Sequence, residues 1–473
     1  MYTLLLLGIP IIAALVSWLL PKQAKNISMF GALATFLVAL LSAIFLSYGQ
    51  SHMLEFNSGA ITGVGMNFAL RVNDMSILMI LLTSFITLLV TIIPDWSNKF
   101  AGAYPLIMLM SASMLGAFLA SDLMLFYIFY EAALIPIYFF ILHWSQADNK
   151  GKVVLKFFVY TLFGSLFMLL ALLYIRLHAN SFLITDMIQA GKSLSTQEQT
   201  LLFLGFFVAF GVKIPIFPFH TWQPSTYSAA PSTGAIMLAG VMLKMATYGL
   251  LVFTVPMLSA GIKNAEWTLW LCVVSILYSS ILAITQTRLK LLIAYSSIAH
   301  VGMIALGVLS QSDVATEGAL IEMVSHGVLA FGLFFIADMF ERRYGHDDMK
   351  KIAGVRENNS LFSFLYFVIV MGSVALPLTR GFVGEFLLLQ GIGAHSIGMA
   401  LLAGLTVVFG AVYMLRAFQT TMLGSSSQAE PFTAMQSSEK WILILVVILV
   451  LTIGIYPNLL LDIVHKAQQL SSK

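Results

Sequence analysis

The sequence predicts an all-α polytopic membrane protein of about fourteen transmembrane helices, on the strength of three observations. Of 473 residues, 59% are hydrophobic and only 10% are charged, against roughly 25% charged in an average soluble domain. Apolar runs long enough to cross about 30 Å of hydrocarbon as helix follow one another with short polar gaps. Two of these runs are interrupted by Gly and Pro beside an ionisable residue, near 211–219 and 376–384. Such interruptions in corresponding places of two halves are the signature of an inverted repeat with broken helices.

The runs lie near 2–20, 27–47, 75–94, 104–120, 122–142, 153–178, 200–220, 232–257, 266–285, 289–309, 320–342, 361–390, 396–422 and 440–465. Residues 2–20 resemble the apolar core of a signal peptide. No basic residue precedes them and Lys22 and Lys25 follow, so they read as a retained first helix. The whole of 1–473 is expected to be one integral membrane domain: flanking helices in 1–103, a first repeat in 104–257, a second in 266–422 and a C-terminal helix in 440–465. The repeat pairs the fourth to eighth spans with the ninth to thirteenth, two bundles of five helices.

Net charge is +3, and the basic residues are scattered over many loops, which gives no patch for nucleic acid. Cys272 is the single cysteine, so disulfide frameworks, thiolate zinc sites and iron–sulfur clusters find no support in this chain. GIGAHSIG lies beside a membrane helix and not after a strand, unlike a nucleotide-binding glycine loop. Fourteen Lys and Arg fall on the side of the first connection, five of them between Arg342 and Arg356, against six on the other side. Because short cytoplasmic loops collect positive charge, both termini are predicted to face outside.

Subtracting the loop charges leaves a few ionisable groups inside apolar helices, chiefly Glu131, Lys213, Lys244, Arg380 and Glu385. A charge at the middle of a span costs roughly 2.5–3.5 kcal/mol on insertion scales, so each needs protein, a partner charge or water around it. A structural ion pair or a snorkelling chain is the competing reading for each, and the favoured one for Lys156, which stands near Lys150 and Lys152. In LFYIFYEAALIPIYFFI, Pro136 removes the donor that would bond the carbonyl of Ala132, beside Glu131. In GVKIPIFPFHTW, Pro215 and Pro218 free the carbonyls of Gly211 and Ile214 around Lys213. In SVALPLTRGFVGEF, Pro377 frees that of Ser373 upstream of Glu385. Burial disfavours the charged lysine while a nearby carboxylate favours it, so a small movement of the partner can load or unload a proton. His220, His300 and His326 add groups that titrate near neutral pH and suit a relay toward Glu385. Glu322, four residues before His326, shares its helix face.

The segments FYEAALIPIYFFI, LKFFVYTLFGSLFMLLA, GVKIPIFPFHTW, AGVMLKMATYGLL, AYSSIAHVGMIALG, MVSHGVLAFGLFF, MFERR and GFVGEF occur in order between about 104 and 420. Together they resemble the M-type antiporter-like subunits of respiratory complex I, the proton-translocating NADH:quinone oxidoreductase. That resemblance implies a fourteen-helix antiporter-like fold, a place in the membrane arm beside other antiporter-like subunits, and proton movement driven by quinone reduction in other chains. It implies that Glu131 partners Lys213, that Lys244 lies on the central axis, and that Glu385 is the terminal group toward the outside, with His220, His300 and His326 on matching positions. FMN, iron–sulfur clusters and quinone are then expected in other subunits, with no cofactor or metal in this chain, in a bacterial inner (plasma) membrane.

Three departures from the family pattern stand out. After HTW the family continues Leu-Pro-Asp-Ala-His, whereas this chain has Gln223-Pro224-Ser225-Thr226-Tyr227, without the acid and the histidine. Before AYSS the family's Asp-Leu-Lys-Arg is Arg288-Leu289-Lys290-Leu291. Its Leu-Pro-Gly-Thr-Ser/Asn-Gly-Phe is Leu376-Pro377-Leu378-Thr379-Arg380-Gly381-Phe382. Arg380 therefore adds a cation near Glu385, either reaching that carboxylate through an irregular 377–381 stretch or snorkelling to water. Competing functions are a subunit of a multisubunit cation/proton antiporter or membrane-bound hydrogenase, a haem-carrying protein with paired histidines, and a passive scaffold. The charge asymmetry has a direct check: in intact cells a cysteine at Ser472 should react with a membrane-impermeant thiol reagent and one at Gly345 should not, and the reverse labelling would overturn the orientation.

Overall fold

A computed structural model describes residues 1–60, 65–93, 102–423, 432–458 and 460–463. Lys99, Lys466, Lys473 and Ser472, used above in the orientation, lie outside the described residues, as does the end of the expected 440–465 helix. Eleven described helices are long and apolar enough to cross a membrane. The other three expected runs differ. Ala103–Leu119 has 17 residues and Thr196–Lys213 stops at the first break. The 361–390 run is two helices, Ser360–Ser373 and Arg380–His395.

The breaks fall where the prolines place them. Thr196–Lys213 ends at Lys213, and helix resumes only with the turn Phe219–Trp222. In the second break Ala375 and Leu378 adopt positive φ, a conformation that costs side-chain-bearing residues energy and occurs where the surroundings impose it. Leu123–Ala132 and Leu134–Trp144 meet at an interruption at Ala133, just after Glu131. Ser232–Met257 is one helical run, but it passes through π-helical turns at Leu238–Met242 and Leu250–Thr254, on either side of Lys244. Wide turns of this kind commonly mark functional positions in helices, and the hydrophobic pattern carries no sign of them.

A small departure from the all-helical expectation is the antiparallel hairpin Glu55–Ala60 with Asn67–Arg71, in register Glu55 to Arg71 and Phe56 to Leu70. Gly59 and Gly65 take positive φ in it, which glycine permits without strain. Asp122 ties the hairpin to the membrane helices, because its carboxylate accepts from the Asn67 amide at 2.8 Å and from Met124 and Leu125 at the start of Leu123–Ala132.

The described chain divides into two compact units. One comprises Met1–Ile214 and Val241–Thr268; the other comprises Pro215–Gly240 and the chain from Leu269. In the second, Asp313–Tyr344 lies against Arg380–His395 at glycine contacts: a Cβ at Gly318 would meet the backbone at Leu387 and Leu388, and one at Gly391 would meet that of Ala315. Close backbone approach through small residues is how helices associate where water supplies no driving force. Cys272 is buried in this unit. Gly318→Val and Gly391→Val should each destabilise the protein by about 1–3 kcal/mol through overpacking. Gly393→Ala, whose new methyl would meet its nearest neighbour only at 3.6 Å, should be neutral, with thermal inactivation in detergent as the measurement.

Candidate functional site

In the first unit the site is built around a buried lysine. Lys213 is 1% exposed, and its Nζ donates to the main-chain oxygen of Tyr130 at 2.9 Å. The ammonium also lies 3.5 Å from the centroid of the Tyr130 ring. A desolvated cation over an aromatic face gains about 2 kcal/mol. The Tyr130 hydroxyl donates to the Ala209 carbonyl at 3.3 Å, fixing the ring against the lysine's own helix. Glu131, the next residue, is the electrostatic partner of Lys213. Its Oε1 is buried and accepts no hydrogen bond among the described residues, while Ser165 on Lys150–Arg176 stands in hydrogen-bonding range of the carboxyl. The pair is therefore electrostatic and not a contact ion pair, with Tyr130 bonding the ammonium. Lys244 is wholly buried between its two π-helical turns.

In the second unit Glu385 takes His300: Nδ1 and Oε1 are 3.1 Å apart. The His300 and His326 rings are 6.0 Å apart, and His326 Nε2 hydrogen-bonds the Ser297 hydroxyl at 3.0 Å. These residues and Glu322 line a cavity with about 20 Å³ open to the centre of a water-sized sphere, room for a water and far too little for a porphyrin. His300, Glu322 and Glu385 bring ligand-type atoms within 4.8 Å of one another, a donor set of the kind that holds a divalent cation. The charge of Arg380, whose electrostatic partner is Glu322, opposes such an ion. His220 is not part of this cavity; its ring packs between Phe217 and Tyr278, at 5.7 and 5.2 Å.

Arg380 follows neither expectation made for it. The helix begins at Arg380 itself, so the five residues to Glu385 turn it about 140° away by ordinary geometry. Snorkelling is ruled out because the side chain is 0% exposed.

The altered Arg288-Leu289-Lys290 segment finds its acids elsewhere. Arg288 Nε pairs with Asp347 Oδ1 at 2.8 Å, and the buried Lys290 pairs with Glu341, which also accepts from Ser232. Arg342 and Arg343, counted as loop charges, pair with Asp338 and the buried Glu439. Position at or near helix ends had concealed Lys290, Glu341, Asp338 and Glu439; of these only Glu341 lies in a segment singled out in the sequence, MFERR. Lys156 sits over the Tyr160 ring, at 5.6 Å from its centroid. In the Gln223 departure, Gln223 donates to the Ala294 carbonyl at 3.3 Å and Tyr227 packs on Phe334, so the segment serves packing.

Helices broken at mid-length, each break beside a buried ionisable group, define an antiporter-like membrane protein. A family model described as NADH:quinone oxidoreductase/Mrp antiporter, TM, matches residues 120–412. NADH-quinone oxidoreductase subunit M of Rickettsia typhi is 34% identical over 457 residues, 94% of this chain and 92% of the relative. A chain of respiratory complex I from Thermus thermophilus with bound NADH aligns with TM-score 0.90 at 28% identity, covering 99% of both chains. A chain of the Mrp complex from a Dietzia species aligns with TM-score 0.84 at 18% identity, over 98% of this chain and 96% of that one, a likeness of fold alone. The protein belongs to the NADH:quinone oxidoreductase/Mrp antiporter membrane family.

The Tyr130 contacts can be separated by substitution. Tyr130→Phe keeps the ring and the carbonyl and should hold proton pumping within about five-fold, since a single hydrogen bond contributes about 1 kcal/mol. Tyr130→Leu loses the aromatic face and should lower pumping about thirty-fold, read as acidification of inverted membrane vesicles.

Proposed function

We propose that this chain is a proton-translocating, membrane-arm subunit of an NADH:quinone oxidoreductase, and that Glu131 and Lys213 switch the proton affinity of its first unit. The relative of Rickettsia typhi carries the subunit M name over nearly its whole length, which favours this reading over a cation/proton antiporter or hydrogenase. The observation that carries the mechanism is the geometry of Lys213: buried, bonded by a main-chain carbonyl, and faced by a carboxylate that it does not touch.

With Glu131 ionised, the ammonium of Lys213 is favoured. When that carboxylate is neutralised or moves away, the low-dielectric surroundings favour the neutral amine, and the ammonium gives up one proton, keeping the N–H electron pair as its lone pair. Reprotonation restores the starting state. No bond between heavy atoms changes, so the chain needs only positioned bases and room for water. Lys244, equally buried, is a second proton holder in the same unit. His300, His326 and Glu385 form the corresponding set of the second, with Glu385 terminal toward the outside, and His220 stands apart as a holder of its own. We read the broken helices as equivalent elements of repeats 104–257 and 266–422.

Redox chemistry belongs to other chains in this reading. FMN, iron–sulfur clusters and quinone are partners' cofactors, the contacts are with neighbouring antiporter-like subunits, and the membrane is the bacterial inner membrane with both termini outside. In the assembled complex, Lys213→Ala and Glu131→Ala should lower quinone reduction and proton pumping together, by about ten-fold or more if the lost pairing exceeds 1.4 kcal/mol in the rate-limiting state. Assembled Lys213→Ala enzyme with parental turnover and proton yield would make the pair structural. Native purification that yielded antiporter chains without quinone-reducing partners would move the protein to the antiporter branch.

A further inference from the structure

Arg380 opens the Arg380–His395 helix with no exposed surface, and its three guanidinium nitrogens donate no hydrogen bond among the described residues. A guanidinium does not shed its proton inside proteins, so a permanent positive charge is fixed here and is compensated by the field of another group. That group is Glu322 on Asp313–Tyr344, itself 1% exposed. The helix surface shows how the two meet. Gly384 stands four residues after Arg380, on the same face, and a Cβ at Gly384 would lie 2.7 Å from Glu322 Oε2. The carboxylate thus occupies space that any other residue at 384 would fill, one helical turn from the arginine.

Glu385 is turned about 100° from Gly384 and carries a different partner, His300 at 3.1 Å. Yet the ligand-type atoms of His300, Glu322 and Glu385 lie within 4.8 Å of one another. Two carboxylates that close cannot both stay ionised in a buried setting without positive charge beside them. One cation present is permanent, Arg380; the other group, His300, is charged only when protonated. The remaining titratable groups facing the cluster are His326, bonded to Ser297, and Tyr413, whose hydroxyl donates to Ser296. Ser360–Ser373 presents only Ser373 to the cavity.

We propose that Arg380 and Glu322 are a fixed compensating pair that leaves the transferable proton of this cluster to the His300–Glu385 couple, which makes Arg380 a positioning residue for proton transfer. The inference rests on the proton-translocation reading given above. In the couple, Nδ1 stands 3.1 Å from Glu385 Oε1 without a hydrogen bond in this arrangement, and transfer takes a turn of the imidazole ring: imidazolium and carboxylate become neutral imidazole and carboxylic acid, net charge is conserved and Glu322 stays anionic throughout. Without Arg380, Glu322 competes for the same proton.

The test uses the assembled complex in inverted membrane vesicles, with quinone reduction and proton pumping followed across pH for Arg380→Ser, Glu322→Gln, the double variant and Arg380→Lys. Each neutralising single substitution should lower pumping about ten-fold, and the double variant should recover at least five-fold over either, within the range of coupling between residues of one network. The Arg380→Ser pH profile should move to the alkaline side, since the carboxylates lose their cation, and Arg380→Lys should restore the parental profile. A double variant as impaired as the worse single, or an Arg380→Ser profile that superimposes on the parent's, would overturn the proposal. If Arg380→Ser does not assemble, recovery of the double variant over Glu322→Gln decides alone, its absence overturning the pairing. Should translocation itself be the wrong reading, Lys213→Ala would keep its pumping, an outcome separate from all of these.

Discussion

Lys213 is a buried cation, and the protein around it is arranged to answer that fact. Its ammonium takes a main-chain carbonyl at Tyr130, lies on the aromatic face of the same residue and feels Glu131 next in the chain. All three sit where Leu123–Trp144 is interrupted at Ala133. An uninterrupted apolar helix offers a neighbour no polar group, because its backbone is fully paired within itself. Here the interruption lies three residues after the Tyr130 carbonyl, and the carbonyl that Pro136 deprives of its donor is that of Ala132, so a loosened stretch of backbone adjoins the buried cation.

The second unit meets the same demand with side chains. Glu385 has His300, Glu322 has Arg380, Lys290 has Glu341, and Arg343 has Glu439. These pairs differ in kind. Arg343 and Glu439 make direct contact at 2.6 Å, a geometry that holds helices together. Arg380 faces its partner without a hydrogen bond, and the cavity that Glu322 lines has room for a water. Gly384 makes the looser arrangement possible, since any side chain there would displace the Glu322 carboxylate.

The family and the main ionisable groups were legible because insertion into hydrocarbon leaves few charges within apolar runs, so those that remain are conspicuous. Glu131, Lys213, Lys244 and Glu385 stood out for that reason, and the prolines beside three of them marked the breaks. Lys290, Glu341, Asp338 and Glu439 were hidden near the ends of helices, where a residue can equally point to water or inward. The π-helical turns around Lys244 have no signature in composition or spacing. Histidines were the intermediate case: all three were noticed, but only His300 and His326 share a cavity, while His220 packs among aromatic rings.

By itself the sequence determined the order of the apolar segments, two of the places where they break and several of the ionisable residues that lie within them, since each follows from the cost of exposing a polar group to hydrocarbon. It did not determine partners. Arg380 and Glu385 are five residues apart and belong to different pairs, whereas Arg380 and Glu322 are separated by most of two helices and share one. That choice is made by which faces of Asp313–Tyr344 and Arg380–His395 come together over Gly318, Gly384 and Gly391. Contact between helices depends on the shape of packed surfaces, and electrostatic pairing falls off with distance in space and not along the chain.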